Sequence, residues 1–221
     1  MTSYPMTFFV DSASRELAEP WLQSGIATGL TTNPTILKRA GARLSDVPEI
    51  YRWALGAGAK EVCFQTWGDS EDEWYSNAMR LREFAPDAVI KVPGTWRGAA
   101  VTSRLRKQGV TVLLTAGYTH QQIFIASALG AKYIAPYFNR MKLAGRDALA
   151  EFGEMTAAIP QDGTDTLVLA ASLKSGKDVS DLVGVGVRAF TAAPEVLDDL
   201  LRDDLVDSAV EAFEEDMRGL I

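Results

Sequence analysis

The stretch "TFFVDSASRELAEP", residues 7–20, runs an apolar segment into Asp11 and then directly into residues with helical spacing, without a single glycine. A nucleotide-binding open sheet carries a glycine-rich phosphate loop after its first strand. Its absence argues against that fold, so the choice of architecture passes to the rest of the chain. Short apolar runs recur at intervals of roughly 20–30 residues: "IATGLT" (26–31), "KEVCFQ" (60–65), "AVIKV" (88–92), "VTVLLT" (110–115), "KYIAPY" (132–137), "TLVLAAS" (166–172) and "VRAFT" (187–191). Counting "TFFVD" (7–11), that makes about eight strands. Between them lie helical patterns such as "EDEWYSNAMRLREF" (71–84), whose Trp74, Ala78, Leu81 and Phe84 share a face, and "RDALAEFGEMTAAI" (146–159). Strand followed by helix, repeated, means a parallel sheet. About eight strands buried on both faces favour a closed (β/α)8 TIM barrel over an open sheet of five or six.

Boundary signals agree with this register. Asp69-Ser70 precedes acidic residues at 71–73, as a helix N-terminus prefers, and Arg104, Arg106 and Lys107 before Gly109 suit a C-terminus. No linker or low-complexity segment divides the chain, so residues 1–221 are expected to form a single domain. The segment 203–221 exceeds what the last strand–helix unit requires. Leu205, Val206, Ala209, Val210 and Phe213 form an apolar stripe with acidic residues opposite, so this C-terminal helix either covers the barrel or docks on a neighbouring subunit.

Composition narrows the function. Hydrophobic residues make up 47% and charged residues 23%, the balance of an ordinary globular chain. A net charge of −7 opposes nucleic-acid binding, which needs a basic face to displace counterions, so a small-molecule or protein partner is expected. Cys63 is the only cysteine and His120 the only histidine, which excludes an intramolecular disulfide and a Cys/His metal site and fits a reducing cytoplasm. No apolar run approaches the roughly 20 residues of a membrane helix, and the N-terminus lacks signal-peptide character.

In a barrel of this type the active site is built at the C-terminal ends of the strands. The polar residues there are Asp11, Thr31-Thr32-Asn33, Gln65, Lys91, Thr115, Tyr137 with Asn139-Arg140, and Ser172 with Lys174. Each has an ordinary alternative. Asp11 with Ser12 and Ser14 suits a helix cap, Thr31-Thr32-Asn33-Pro34 a turn with proline opening a helix, Gln65 and Thr115 satisfied polar groups, and Tyr137 a core aromatic. Arg140 and Lys174 suit solvated surface charges, and Lys91 a strand-end ion pair. His120 reads as a helix-start residue. Seven strands delivering polar side chains at one end is nevertheless hard to explain by packing, and a site is the better account. Its inventory is an amine, a carboxylate, an amide and a phenol. A desolvated amine can attack a carbonyl to form a Schiff base, an electron sink for breaking the adjacent C–C bond. The carboxylate and the phenol can move protons, while Arg140, Ser172 and Lys174 offer donors to a phosphate. The residues alone lead to a lysine-dependent carbonyl enzyme acting on an anionic, sugar-like substrate.

"FFVDSAS", "GLTTNPTIL", "CFQTW", "VIKVPGT", "YIAPYFNRM" and "LAASLKS" resemble, in this order and at similar spacing, the motifs of the small transaldolase and fructose-6-phosphate aldolase family. The resemblance implies a cofactor-free class I aldolase barrel, assembled as a homo-oligomer of pentameric rings or pairs of them, with the last helix on the neighbouring subunit. It implies that Lys91 is the Schiff-base lysine, that Asp11 and Asn33 contact hydroxyls of the bound ketose, and that Thr31 helps to order the site. Gln65 matches the water-holding position of the aldolase branch, where transaldolases carry glutamate, and Tyr137 matches that branch's tyrosine, where transaldolases usually have phenylalanine. The expected reaction is cleavage or formation of fructose 6-phosphate, with dihydroxyacetone and glyceraldehyde 3-phosphate as the other side. Transaldolase transfer is the near alternative, and a non-catalytic sugar-phosphate-binding barrel the distant one. Trp67, Trp96-Arg97 and "LLTAGYTH" (113–120) depart from the pattern by adding bulk at the mouth, and Lys174 stands where longer transaldolases have arginine.

Overall fold

The computed structural model describes residues 5–162 and 165–221. Eight parallel strands close on themselves in sequence order: β1 (Thr7–Asp11), β2 (Ala27–Thr31), β3 (Glu61–Gln65), β4 (Val89–Pro93), β5 (Val112–Gly117), β6 (Tyr133–Pro136), β7 (Leu167–Ala170) and β8 (Ala189–Ala192). The helices around them are α1 (Arg15–Gln23), α2 (Pro34–Arg39), α3 (Val47–Gly56), α4 (Glu71–Phe84), α5 (Trp96–Lys107), α6 (Gln122–Ala128), α7 (Phe138–Leu143), α8 (Ala148–Asp162), α9 (Gly176–Gly184), α10 (Pro194–Asp199) and α11 (Asp204–Arg218). The expected (β/α)8 TIM barrel is therefore the fold.

Local chemistry sets the helix ends. Ser70 opens α4 by accepting the Glu73 N–H at 3.1 Å, with Glu71, Asp72 and Glu73 at the positive end of the helix. Thr95 caps α5 in the same way through the Gly98 N–H, at 3.1 Å. After α5, Gly109 takes a φ of 72°, a left-handed conformation that ends the helix without a Cβ clash.

Side chains alternate across the barrel wall. Outward-facing Val10, Leu30, Val62, Ile90, Val112, Ile134 and Phe190 pack against the helices. Inward-facing Phe9, Cys63, Val89, Leu113, Ala135, Leu169 and Ala189 fill the barrel's middle. This two-sided burial makes the strands nearly continuous apolar runs. The floor is closed by Glu61, which accepts the Tyr133 hydroxyl at 2.5 Å and the Lys132 ammonium at 2.6 Å. Burial, reinforced by that carboxylate, pushes the Tyr133 phenol well above its ordinary pKa, so it serves as a fixed donor.

β4 and β8 each end one residue beyond the expected position, at Pro93 and Ala192, and three further strand ends also differ. β5 extends to Gly117 through a bulge between Thr115 and Gly117, with Ala116 at a φ of 61°. β6 stops at Pro136, and Tyr137 instead forms an isolated bridge to Ala171. β7 stops at Ala170, leaving Ser172 beyond it at a φ of 61°. The stripe on α11 faces outward: no residue of that helix is buried, and Leu205 and Phe213 are 80% and 65% exposed.

Gly29 makes room for Phe9 in the middle layer. A Cβ at that position would overlap the Phe9 ring and approach the Glu61 carbonyl oxygen at 2.9 Å. Gly29→Ala is expected to destabilise the barrel by about 1–3 kcal/mol, read in thermal unfolding as a Tm lower by roughly 2–4 °C for each kcal/mol.

Candidate active site

Above the apolar middle layer, the inward-facing series turns polar on nearly every strand. Two residues beyond Phe9, Cys63, Val89, Leu113, Ala135 and Ala189 stand Asp11, Gln65, Lys91, Thr115, Tyr137 and Thr191. Thr31 completes the layer from β2, in register with Asp11 on one side and Cys63 on the other.

Lys91 sits within β4 and is only 4% exposed. Its carbonyl accepts the Thr66 N–H at 3.0 Å, and in register it lies between Gln65 on β3 and Leu113 on β5. Strand spacing sets the backbones of Gln65 and Lys91 about 4.8 Å apart, so amide and ammonium side chains leave neighbouring strands toward the same axis. Beneath them the Cys63 thiol is pushed up to about 12 by burial, which keeps it protonated and removes it as a nucleophile.

On the opposite wall Asp11 ends β1, with one carboxylate oxygen accepting the Thr31 hydroxyl at 2.5 Å. Thr31 is fully buried, and its oxygen also lies 2.5 Å from the hydroxyl of Thr191, which is 3% exposed. Asp11 does not cap α1; the short bond there runs from the Ser14 N–H to the Ser12 hydroxyl. Burial raises the pKa of the Asp11 carboxyl, and the charge of Lys91, the Thr31 hydrogen bond and the charge of Arg39 offset part of that rise.

Tyr137 and Thr115 meet with 2.9 Å between their hydroxyl oxygens. The bulge at Ala116 lets β5 bend here: the Thr115 carbonyl accepts the Gly94 N–H at 2.8 Å while the Gly117 carbonyl accepts the Tyr137 N–H at 3.1 Å. The Arg140 guanidinium lies 4.7 Å from the centre of the Tyr137 ring, and Tyr118 meets that ring edge-on at 5.8 Å. The Asn139 N–H donates to the Ser172 carbonyl at 3.1 Å, which brings the first turn of α7, carrying Arg140, against the end of β7.

The remaining candidates are more peripheral. Asn33 accepts the Ile36 N–H at 2.9 Å and so caps α2, with Pro34 in the first turn. Lys174 is exposed, and its backbone N–H, not its side chain, is anchored, to Asp178 at 2.8 Å. His120 precedes α6 and binds Glu151 through Nδ1 at 2.9 Å. Of the bulky residues at the rim, Trp96 is 92% exposed and the Arg97 guanidinium stacks over Trp74 at 5.4 Å. Sequence reading missed Thr191. The signal was present in "VRAFT", because Thr191 shares parity with Ala189 and pairs in register with inward-facing Phe9.

The layer therefore joins a buried amine, a carboxyl biased toward its neutral form, and a phenol held by a hydroxyl. These groups suit nucleophilic addition to a carbonyl with proton transfer on either side. Among the described residues no cluster of three His, Cys, Asp or Glu side chains is arranged to hold a metal ion.

Ionising Asp11 costs folded-state stability, because its folded pKa lies above the unfolded value. That cost is absent below the unfolded pKa, grows as the pH rises through the folded one, and is fully expressed above it. Asp11→Asn is expected to melt above the wild type at pH 8, the difference narrowing toward pH 4, as thermal scans at the two pH values would register.

Solved structures with the same architecture include a thiamine phosphate pyrophosphorylase from Pyrococcus furiosus, at a TM-score of 0.58 and 11% identity over 85% of each chain. They also include a mandelate oxidase variant, at 0.57 and 18% identity over 85% of this chain and 64% of that one. A flavocytochrome b2 variant matches at 0.58 and 12%, over 86% of this chain and 57% of that one. At these identities the likeness speaks to the barrel alone. A sequence family described as Transaldolase/Fructose-6-phosphate aldolase matches residues 8–220, nearly the whole chain, and to that family the protein belongs.

Proposed function

We propose that the protein is a class I aldolase that cleaves fructose 6-phosphate to dihydroxyacetone and glyceraldehyde 3-phosphate, or runs the reverse condensation, with Lys91 as the nucleophile. The observation that carries this reading is the buried lysine in the inward polar layer, beside Gln65 and in one ring with Asp11 and the Thr115–Tyr137 pair. The Lys91 amine adds to the C2 carbonyl, and loss of water gives the iminium. A base takes the C4 hydroxyl proton, the C3–C4 bond breaks toward the iminium, and glyceraldehyde 3-phosphate leaves an enamine on Lys91. A proton returned to C3 and water added at C2 release dihydroxyacetone and restore the amine. Tyr137 acts as the proton donor and acceptor, Gln65 positions the water, and Asp11 holds a substrate hydroxyl and relays its proton. Thr31, Asn33 and Thr115 complete the sugar site. Arg140 and Ser172 take the phosphate at the rim, and Lys174 adds long-range positive charge to it.

The aldolase is favoured over transaldolase transfer because Gln65 and Tyr137 stand at the positions where transaldolases resemble one another in glutamate and phenylalanine. Borohydride with fructose 6-phosphate is expected to trap a covalent adduct at Lys91, mapped by mass spectrometry, and free dihydroxyacetone is expected without any acceptor. An adduct elsewhere sinks the mechanism. Turnover that requires erythrose 4-phosphate makes the protein a transaldolase.

The same reading includes a homo-oligomer, a pentamer or a decamer, in which α11 packs on the neighbouring barrel. Two features support it. The α11 stripe of Leu205, Val206, Val210, Phe213 and Met217 is exposed, and an apolar groove of about 500 Å³ opens between α5 and α6, lined by Trp96, Ala99, Ala100, Ile125 and Leu129. Because α10 packs beside α1 and α9, across the ring from α5 and α6, a helix leaving α10 is better placed to reach a second copy's groove than its own. A cytoplasmic location fits the single, buried free thiol, and no described helix is long and apolar enough to cross a membrane. Phe213→Glu is expected to reduce the molar mass in light scattering from the oligomer to the monomer; a monomeric wild type, or an oligomer unchanged by the substitution, removes this part of the proposal.

A further inference from the structure

Closing the barrel between β1 and β8 brings three side chains from distant parts of the chain into a line. The Thr31 hydroxyl oxygen lies 2.5 Å from an Asp11 carboxylate oxygen and 2.5 Å from the Thr191 hydroxyl oxygen. A hydroxyl has one proton to give. When Asp11 is ionised, the Thr31 proton goes to the carboxylate, since a bond to an anion is about twice as strong as one between neutral groups. The Thr31 oxygen is then the acceptor and Thr191 the donor. The chain of bonds has a single direction, Thr191 to Thr31 to Asp11. Both threonines are buried, at 0% and 3% exposure, so water does not compete for either hydroxyl.

We propose that Thr191 is a positioning residue for Asp11: its hydroxyl locks the Thr31 rotor with its proton toward the carboxylate and so sets the pH at which Asp11 exchanges its proton. The charges that act on Asp11 are those of Lys91 from β4 and Arg39 from α2, and the buried thiol of Cys63 lies below it on β3. None of them replaces the oriented hydroxyl. Lys91 and Arg39 act as charges at a distance, and the protonated thiol is a weak donor. Polarisation along the chain strengthens the last bond, and loss of Thr191 weakens it. The ionised form of Asp11 then loses part of its support, and its titration moves to higher pH. The consequence for turnover rests on the aldolase reading, whereas the consequence for the carboxyl does not.

The test uses the full-length protein with aspartate labelled at the carboxyl carbon, titrated by NMR without substrate, the Asp11 signal being identified by its absence in Asp11→Asn. In Thr191→Val, which keeps the side-chain shape and removes the hydroxyl, the Asp11 midpoint is expected to rise by about half a pH unit, roughly threefold in Ka. Thr191→Ser is expected to restore it. With fructose 6-phosphate, the acid limb of the kcat/KM profile should move by the same amount, while the borohydride adduct at Lys91 still forms. An unchanged midpoint in folded Thr191→Val, or in Thr191→Ala should the valine variant not fold, overturns the assignment, as does a shift that serine fails to reverse. A wild type that forms no adduct sinks the aldolase reading and leaves the carboxyl titration as the judge of Thr191.

Discussion

The pairing of β1 with β8 is the contact on which the rest of the molecule depends. Phe9 opposite Thr191 and Val10 opposite Ala192 turn eight strands that would otherwise form an open sheet into a closed ring. An open sheet has two edges and two faces; a ring has no edge, and its inner face becomes an enclosed volume. Only in that volume do Asp11 from the start of the chain, Lys91 from its middle and Thr191 from near its end look toward one point. The site is thus a product of closure. The strands that carry it are held on both sides by neighbours, a more exact support than loops give.

That enclosure carries energetic costs that are visible in the mouth. Lys91, Thr31, Thr115 and Thr191 are all buried polar groups, and Ala116 and Ser172 both take left-handed conformations without being glycine. Such conformations cost of order 1 kcal/mol or more each and collect where a site needs a particular backbone direction. Here they lie at the ends of β5 and β7, the first beside the Tyr137–Thr115 contact and the second where α7 begins. The apolar middle layer and the outer shell of helices offset these costs. The same apolar middle explains why the polar ring sits only at the top, since one layer lower every inward position is filled by Phe9, Cys63, Val89, Leu113 and their neighbours.

Much of this is legible from the chain. Apolar runs separated by helical spacing locate all eight strands, because strands buried on both faces lose the alternation that would otherwise make them look amphipathic. The fourteen residues of α4 can be read to both ends, since Ser70 and the acids at 71–73 are a strong local signal. The short α6 cannot: it has seven residues, opens on Gln121 without a side-chain cap, and rests on tertiary packing. The ends of β5, β6 and β7 are displaced from their expected positions because a bulge at Ala116 and the positive φ at Ser172 are conformations that alanine and serine do not announce. At the mouth, Asp11, Gln65, Lys91, Thr115 and Tyr137 stand out as strand-end polar residues. Thr31 stands out as well, but the bonds that join it to Asp11 and to Thr191 do not, because they link residues 20 and 160 positions apart. The stretch Thr31-Thr32-Asn33-Pro34 shows the opposite case: its ordinary reading, a turn with proline opening a helix, agrees with the observed start of α2, where Asn33 accepts the Ile36 N–H.

Cys63 lies at the centre of the closed ring, 0% exposed and with its thiol pushed up to about 12. Alkylating reagents need both access and a thiolate, and the folded barrel supplies neither. Labelling of this one sulfur therefore requires strands to part, so its rate counts openings of the barrel in the same way that amide exchange counts openings of helices. Because the sequence has no other cysteine, the count arrives without background. The residue that contributes nothing to the chemistry of the mouth is, for that reason, a clean internal gauge of how often the mouth's scaffold comes apart.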